Sequence, residues 1–140
     1  MNPEPPPLLS VLVVEDQEDC AQSTAEMLTL CGHAVRVARC GPDALREALA
    51  DPPDVVLLDI GLPGISGWEV AAGLRERIRG RQPLVVAVTG LGTDADRLRS
   101  ADAGIDLHLV KPVEPAELLR LLTWVRDNLA ARASSLAVAG

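Results

Sequence analysis

The chain has 140 residues, which suits one ordinary domain and leaves no room for a separate output domain. Its 48% hydrophobic content indicates a globular protein, and the absence of Phe and Tyr means that aliphatic side chains build the core. A net charge of −7 argues against nucleic acid or anionic membranes as partners. With no signal peptide or membrane span in the sequence, and three scattered cysteines that fit reduced thiols, we expect a cytoplasmic protein.

Short apolar runs alternate with helix-like segments through residues 8–132, the predicted domain. Residues 1–7 are rich in proline and predict an extended lead-in, whereas the small residues of 133–140 predict a flexible tail. Five strands are predicted from the apolar runs, at residues 8–14, 34–38, 54–58, 84–88 and 107–110.

Residues typical of helix ends lie between the predicted strands. Gly32 is placed to stop the first helix, and Pro42 fits the first turn of the second. Ser66 and Glu69 have capping-box spacing at the start of the third helix, and Pro115 opens the last. The apolar face of that last helix consists of Leu118, Leu122, Val125 and Leu129. This order predicts an α/β fold with a doubly wound parallel sheet and a site at the carboxyl ends of its strands.

Five polar or charged residues stand at those strand ends: Glu15, Asp16, Asp59, Thr89 and Lys111. Each has an ordinary explanation alone, because acids favour helix starts, Asp forms turns, Thr favours strands and Lys is common on surfaces. However, Lys111 is the only lysine among thirteen basic residues. A compact ammonium suits a phosphoryl-sized site better than the bulkier guanidinium of Arg.

Together, these five groups form a set suited to phosphoryl transfer. Clustered carboxylates favour an oxygen-ligated divalent cation such as Mg²⁺ or Mn²⁺. With the cation bound, one carboxylate can attack phosphorus as a nucleophile. The metal and Lys111 would neutralise the transferring oxygens, and the Thr89 hydroxyl would donate a hydrogen bond to one of them.

Four segments carry a resemblance to a known family: VLVVED at 11–16, VVLLDIGLPG at 55–64, VAVTG at 86–90 and LVKP at 109–112. They resemble, in order and spacing, the signature segments of bacterial two-component response-regulator receiver domains, the CheY-like superfamily. The likeness extends from about residue 8 to residue 129. It implies a flavodoxin-like (βα)5 fold with strand order 2-1-3-4-5, and a cis bond between Lys111 and Pro112.

The resemblance also implies a role for each site residue in a phosphorelay. A histidine kinase or histidine phosphotransfer protein would pass a phosphoryl group to Asp59, the phosphoacceptor, with help from Lys111 and Thr89. The implied metal ligands are Asp16, Asp59, the backbone carbonyl of Gly61, and Glu15 through water. Such a protein is a phosphoacceptor that assists its own phosphorylation and dephosphorylation, not an enzyme that acts on other substrates.

In the family, a threonine and an aromatic residue form the conformational switch, and Thr89 and His108 hold these positions. His108 could turn inward as a smaller, titratable ring, or it could simply be an exposed strand residue. The segment 108–112 is also similar to the receivers of hybrid histidine kinases.

The signal would leave through surface contact with an unknown downstream protein or a second copy of the chain. Leu121 and Trp124, on the flank of the last helix, form either an exposed docking patch or a cover for the adjoining helix. Two other functions compete. An aspartate-nucleophile phosphohydrolase would need an acid at position 61, where this chain has Gly61. A pseudo-receiver would bind partners without phosphorylation, and the complete set of site residues argues against it.

Overall fold

The computed structural model describes residues 8–90 and 94–139, and over this part of the chain five strands alternate with five helices. The strands are β1 Ser10–Val14, β2 Ala34–Ala38, β3 Val55–Asp59, β4 Leu84–Thr89 and β5 Leu107–Val110. The helices are α1 Glu18–Leu30, α2 Gly41–Ala50, α3 Gly67–Arg77, α4 Asp94–Ala103 and α5 Pro115–Ala139.

The strands form one parallel sheet in the order β2-β1-β3-β4-β5. This confirms the predicted flavodoxin-like fold. The central strands are the most apolar, and residues 11–14 and 55–58 are all buried. Continuous apolar runs are typical of parallel strands that are covered on both faces.

Successive residues of the central strands point to opposite faces of the sheet, so the core has two parts. On one face Leu12 and Leu58 pack with α2 and α3, and on the other Val13 and Leu57 pack with α1 and α5. The predicted apolar face of α5 is confirmed, because Leu118, Leu122, Val125 and Leu129 all belong to this second part. Full burial of one such leucine contributes about 1.5–3 kcal/mol, so the two faces anchor the helices firmly.

The predicted helix ends are confirmed in detail. The Ser66 hydroxyl caps α3 by accepting a hydrogen bond from the backbone N–H of Glu69 at 3.3 Å. Gly32 follows α1 with a φ of 97°, and the next N–H, that of His33, donates to the carbonyl of Leu28 at 3.1 Å. A residue without a Cβ is favoured at this position because its φ lies in the left-handed region.

Helix α5 continues to Ala139 and therefore includes residues 133–139, for which the composition predicted a tail. Alanine has the highest helix propensity, so a segment of small residues can prolong a helix that tertiary packing has already started. The flexibility of this segment stays a prediction, and the predicted lead-in at 1–7 lies outside the described residues. Within the described ranges, none of the helices combines the length and the apolar character that crossing a membrane requires.

Candidate functional site

The carboxyl ends of β1, β3, β4 and β5 bring the five predicted site residues to one edge of the sheet. Glu15 and Asp16 follow β1, Asp59 ends β3, Thr89 ends β4 and Lys111 follows β5. The Lys111 ammonium nitrogen lies 3.3 Å from Glu15 Oε1 and 3.4 Å from Asp59 Oδ2. Residues separated by up to 96 positions in the sequence therefore form one constellation.

The carboxylates of Glu15, Asp16 and Asp59 form a compact acidic cluster. One oxygen from each lies within 4.8 Å of the other two. Hard, all-oxygen donor sets of this kind suit Mg²⁺, which binds one or two carboxylates together with water and phosphate oxygens. The chemistry and spacing of these side chains therefore fit the expected divalent cation.

Glu15 and Asp59 have pKa values that move in opposite directions. Burial raises the pKa of Glu15 above its ordinary value, and hydrogen bonding to Asp59 raises it further. Burial also acts to raise the pKa of Asp59, but hydrogen bonds from Glu15 and from the N–H of Gly61, together with Lys111, outweigh it and lower the pKa. Ionisation is therefore favoured at Asp59 over Glu15.

Lys111 keeps its charge at this edge of the sheet. Burial acts to lower its pKa, but attraction to Asp59 and Glu15 outweighs burial and raises the pKa. The backbone N–H of Lys111 donates to the carbonyl of Thr89 at 2.8 Å, which holds the start of the loop after β5 against β4. The bond between Lys111 and Pro112 is cis, as the resemblance implied. The ammonium is thus both charged and fixed near Asp59.

The backbone of two glycines lies close to Asp59. The N–H of Gly61 donates to Asp59 Oδ1 at 2.9 Å, which orients the carboxylate. A Cβ at Gly67 would lie 2.8 Å from the carbonyl oxygen of Asp59 and 2.7 Å from the Cα of Ile60. Only glycine therefore fits where α3 begins against the end of β3.

The predicted switch residues Thr89 and His108 line a cavity of about 260 Å³ beside Asp59, and we call it the switch cavity. Its other lining residues are Ile60, Gly61, Trp68, Gly90 and Ser100. The alternative of His108 as an exposed strand residue is wrong, because the residue is half-buried and both of its ring nitrogens are buried. Its role in switching stays a prediction.

The structure separates the two residues proposed for a partner surface. Leu121 is partly buried and packs against the core between the sheet and α5, and its place in a partner surface stays a prediction. Trp124 is 52% exposed beside a groove that Arg75 and Asp106 also line. The amphipathic pattern did not distinguish these two positions because both lie at the border of the buried helix face.

Sequence reasoning missed Arg39, which follows β2 at the same edge of the sheet. Its guanidinium donates to the backbone carbonyl of Asp16 at 3.2 Å and 2.5 Å. The rule that sites lie at strand ends, applied to β2 as well, would have included this residue. The contact between Trp68 and Ser100, which belong to α3 and α4, had no comparable signal in the sequence.

The family model described as the response regulator receiver domain matches residues 11–123. The chain belongs to this family. It is 42% identical over 123 residues to the transcriptional regulatory protein KdpE of Mycobacterium tuberculosis, and 33% identical over 123 residues to CusR of Escherichia coli. These matches cover 86% and 87% of the chain but 53% of each relative, so the receiver spans about half the length of the curated relatives that it matches.

Solved receiver structures agree with the fold. The BeF3-activated N-terminal receiver domain of Klebsiella pneumoniae RstA is 30% identical, with a TM-score of 0.74 over 83% of this chain and 97% of that one. A CheY-like receiver domain protein of Methanospirillum hungatei is 26% identical, with a TM-score of 0.79 over 87% and 96%. These comparisons do not show the predicted similarity to receivers of hybrid histidine kinases.

Proposed function

We propose that this receiver domain works in a phosphorelay and accepts a phosphoryl group on Asp59 from a histidine kinase or a histidine phosphotransfer protein. The observation that carries the proposal is the state of Asp59. This carboxylate is ionised, bound by the N–H of Gly61 at 2.9 Å, and lies 3.4 Å from the Lys111 ammonium. An oriented, charged carboxylate beside a fixed cation is what a phosphoryl acceptor needs.

The residues divide the transfer among them. An Asp59 oxygen forms a bond to phosphorus as the phosphorus–nitrogen bond to the donor imidazole breaks, and the imidazole leaves with the bonding electrons. Lys111 stabilises negative charge on the transferring oxygens, and the Thr89 hydroxyl donates to one of them once the group has arrived. The N–H of Gly61 restrains the acceptor carboxylate, so less orientational freedom is lost during attack.

Asp16, Asp59 and the backbone carbonyl of Gly61 would hold Mg²⁺ or Mn²⁺, with Glu15 acting through water. The acidic cluster supports this assignment, because its oxygens lie within 4.8 Å of one another. When bound, the cation supplies positive charge to the phosphoryl oxygens. Arg39 would assist by fixing the backbone of Asp16, whose carbonyl accepts its hydrogen bonds.

The output would be a conformational change around Thr89 and His108 that a downstream protein recognises in the cytoplasm. The curated relatives are transcriptional regulatory proteins, which supports a signalling role but names no target for this chain. The net charge of −7 favours protein partners, including a second copy of the chain, over direct contact with nucleic acid or membranes. Trp124 is the exposed residue of α5 that such a partner could contact.

Intact mass spectrometry after incubation with acetyl phosphate and Mg²⁺ tests the proposal. We expect the unaltered chain to gain about 80 Da, one phosphoryl group, and Asp59→Asn to gain nothing because an amide is not a nucleophile of this kind. Circular dichroism of both proteins controls for folding. An equal gain in both would place the phosphoryl group elsewhere, and no gain even from a histidine kinase would favour a pseudo-receiver.

A further inference from the structure

Trp68 connects α3 to α4 at the wall of the switch cavity. Its indole N–H donates to the hydroxyl of Ser100, on α4, at 2.8 Å. The guanidinium of Arg99 lies 4.1 Å from the centroid of the same ring, within the range of a cation–π interaction. One side chain at the start of α3 therefore makes two directional contacts with neighbouring residues of α4.

Ser100 holds the position on α4 where a core residue would be expected. It is 1% exposed, whereas Leu98 on the same helix is 69% exposed. Among the α4 side chains that the structure describes, Ser100 is the buried one and Ala103 packs only partly against the core. Over residues 98–103, the described side chains of α4, the hydrogen bond from Trp68 is therefore a main contact that positions the helix.

The same cavity contains the groups that must rearrange on phosphorylation. Asp59, Thr89 and His108 line it together with Trp68 and Ser100. A phosphoryl group on Asp59 draws the Thr89 hydroxyl toward it. The cavity leaves room for a ring side chain to move into the space that Thr89 vacates. The two ring side chains of the cavity are those of Trp68 and His108. If Trp68 moves into this space, its bond to Ser100 is disturbed.

We propose that Trp68 is a positioning residue that couples α4 to the phosphorylation state of Asp59. Its hydrogen bond to Ser100 holds α4 in the arrangement described above and is lost in the phosphorylated arrangement. This inference rests on the proposed function. A contact that is present in only one of two states stabilises that state. Removing the bond therefore shifts the equilibrium toward the phosphorylated arrangement.

The test is the affinity for beryllofluoride, a phosphoryl mimic, measured by fluorine NMR in excess Mg²⁺. Trp68→Phe keeps a ring but removes the donor, and Ser100→Ala removes the acceptor. We expect each variant to bind beryllofluoride roughly two- to tenfold more tightly, the range that one net hydrogen bond supplies. Because both variants remove the same bond, the double variant should gain no more than the larger single effect.

Thr29→Ala is the matched control, since it removes a helical hydroxyl that bonds only within α1. Its beryllofluoride affinity should equal that of the unaltered chain. A merely structural role for Trp68 would lower the urea midpoint without changing the affinity, and this result would overturn the inference. Additive effects in the double variant would overturn it as well. If Trp68→Phe fails to fold, Ser100→Ala alone decides.

The inference and the proposed function fail in different ways. If the unaltered chain neither binds beryllofluoride nor gains a phosphoryl group, the proposed function is wrong and the inference falls with it. If the unaltered chain does both and the variants bind as it does, only the coupling through Trp68 is wrong.

Discussion

Lys111 lies between two carboxylates that a cation would also need. Its ammonium is 3.3 Å from Glu15 Oε1 and 3.4 Å from Asp59 Oδ2, so it competes with Mg²⁺ electrostatically while assisting phosphoryl transfer. We expect Lys111→Met to bind Mg²⁺ roughly three- to tenfold more tightly and to take up phosphoryl groups at least about tenfold more slowly.

Quenching of Trp68 fluorescence by Mg²⁺ measures the first effect, since Trp68 and Asp59 line the same cavity. A mass time course with acetyl phosphate measures the second. The control is Arg77→Met. It also removes one positive charge, but at the end of α3 opposite the one that contacts Asp59. Weaker Mg²⁺ binding by Lys111→Met would mean that the ammonium organises the cluster rather than competing for it.

We expect His33 to make the free energy of unfolding depend on pH. It is 7% exposed, and burial together with the positive charge of Arg126 lowers its pKa below the ordinary value. His33 is therefore harder to protonate in the folded state than in the unfolded chain, where its pKa is about 6.5. Its contribution to stability is complete above that pH and is lost as the pH falls below it.

We expect His33→Gln to lose less stability than the unaltered chain between pH 7.5 and pH 5.5, values placed about one unit either side of the unfolded pKa. Urea unfolding at both pH values measures this difference. Other titrating groups are common to the two proteins, so the comparison isolates His33. Parallel losses would show that His33 takes up its proton equally well in the folded and unfolded states.

Among the elements, α3 begins in close contact with the backbone of Asp59 at the end of β3. A Cβ at Gly67 would meet backbone atoms of residues 59 and 60 at 2.7–2.8 Å, whereas one at Gly73 would meet the side chain of Leu45 at 3.0 Å. We expect Gly67→Ala to cost about 1–3 kcal/mol of unfolding free energy, since backbone cannot yield as a side chain can. Gly73→Ala should cost less, because alanine favours helices.

Chemical denaturation of the two variants measures the difference. We also expect Gly67→Ala to slow phosphoryl uptake, because α3 can avoid the clash only by moving away from the end of β3. Equal stabilities would mean that the junction between β3 and α3 relaxes without cost.

The elements themselves could largely be predicted because each strand is a short apolar run between turn residues. The predicted strands at 34–38 and 107–110 match β2 and β5, and β1, β3 and β4 differ by one or two residues at their ends. The end of β3 shifted because its ladder with β4 continues through Asp59. The extent of α5 could not be predicted, since alanine and serine are compatible with both a helix and a tail.

The part of the site that could be predicted is the part formed by residues at the ends of strands. Their convergence and the family resemblance together indicated all five residues of the constellation. Contacts between helices are different, because the bond from Trp68 to Ser100 spans 32 residues and depends on how α3 and α4 pack. The partial burial of Leu121 likewise depends on how α5 contacts the rest of the fold. The spacing of residues along one helix does not reveal those contacts.

For the molecule as a whole, the acidic cluster lowers the stability of the fold in return for a cation-binding site. Three carboxylates within 4.8 Å repel one another in a protein that already carries a net charge of −7. Lys111 offsets part of this repulsion, and a bound divalent cation would offset more of it. The folded state alone brings these groups together, so a cation that binds there stabilises the fold by mass action.

Because of this linkage, we expect Asp16→Asn to change the stability of the fold in opposite directions without and with Mg²⁺. Without Mg²⁺ the variant should be more stable than the unaltered chain, because one repelling charge has been removed. With Mg²⁺ at a hundredfold excess over Kd, the unaltered chain should gain about 2.7 kcal/mol and the variant much less. Thermal unfolding with and without MgCl2, at an ionic strength matched with NaCl, separates specific binding from screening. If both proteins gain equally, the cation does not bind through Asp16, and screening alone accounts for its effect.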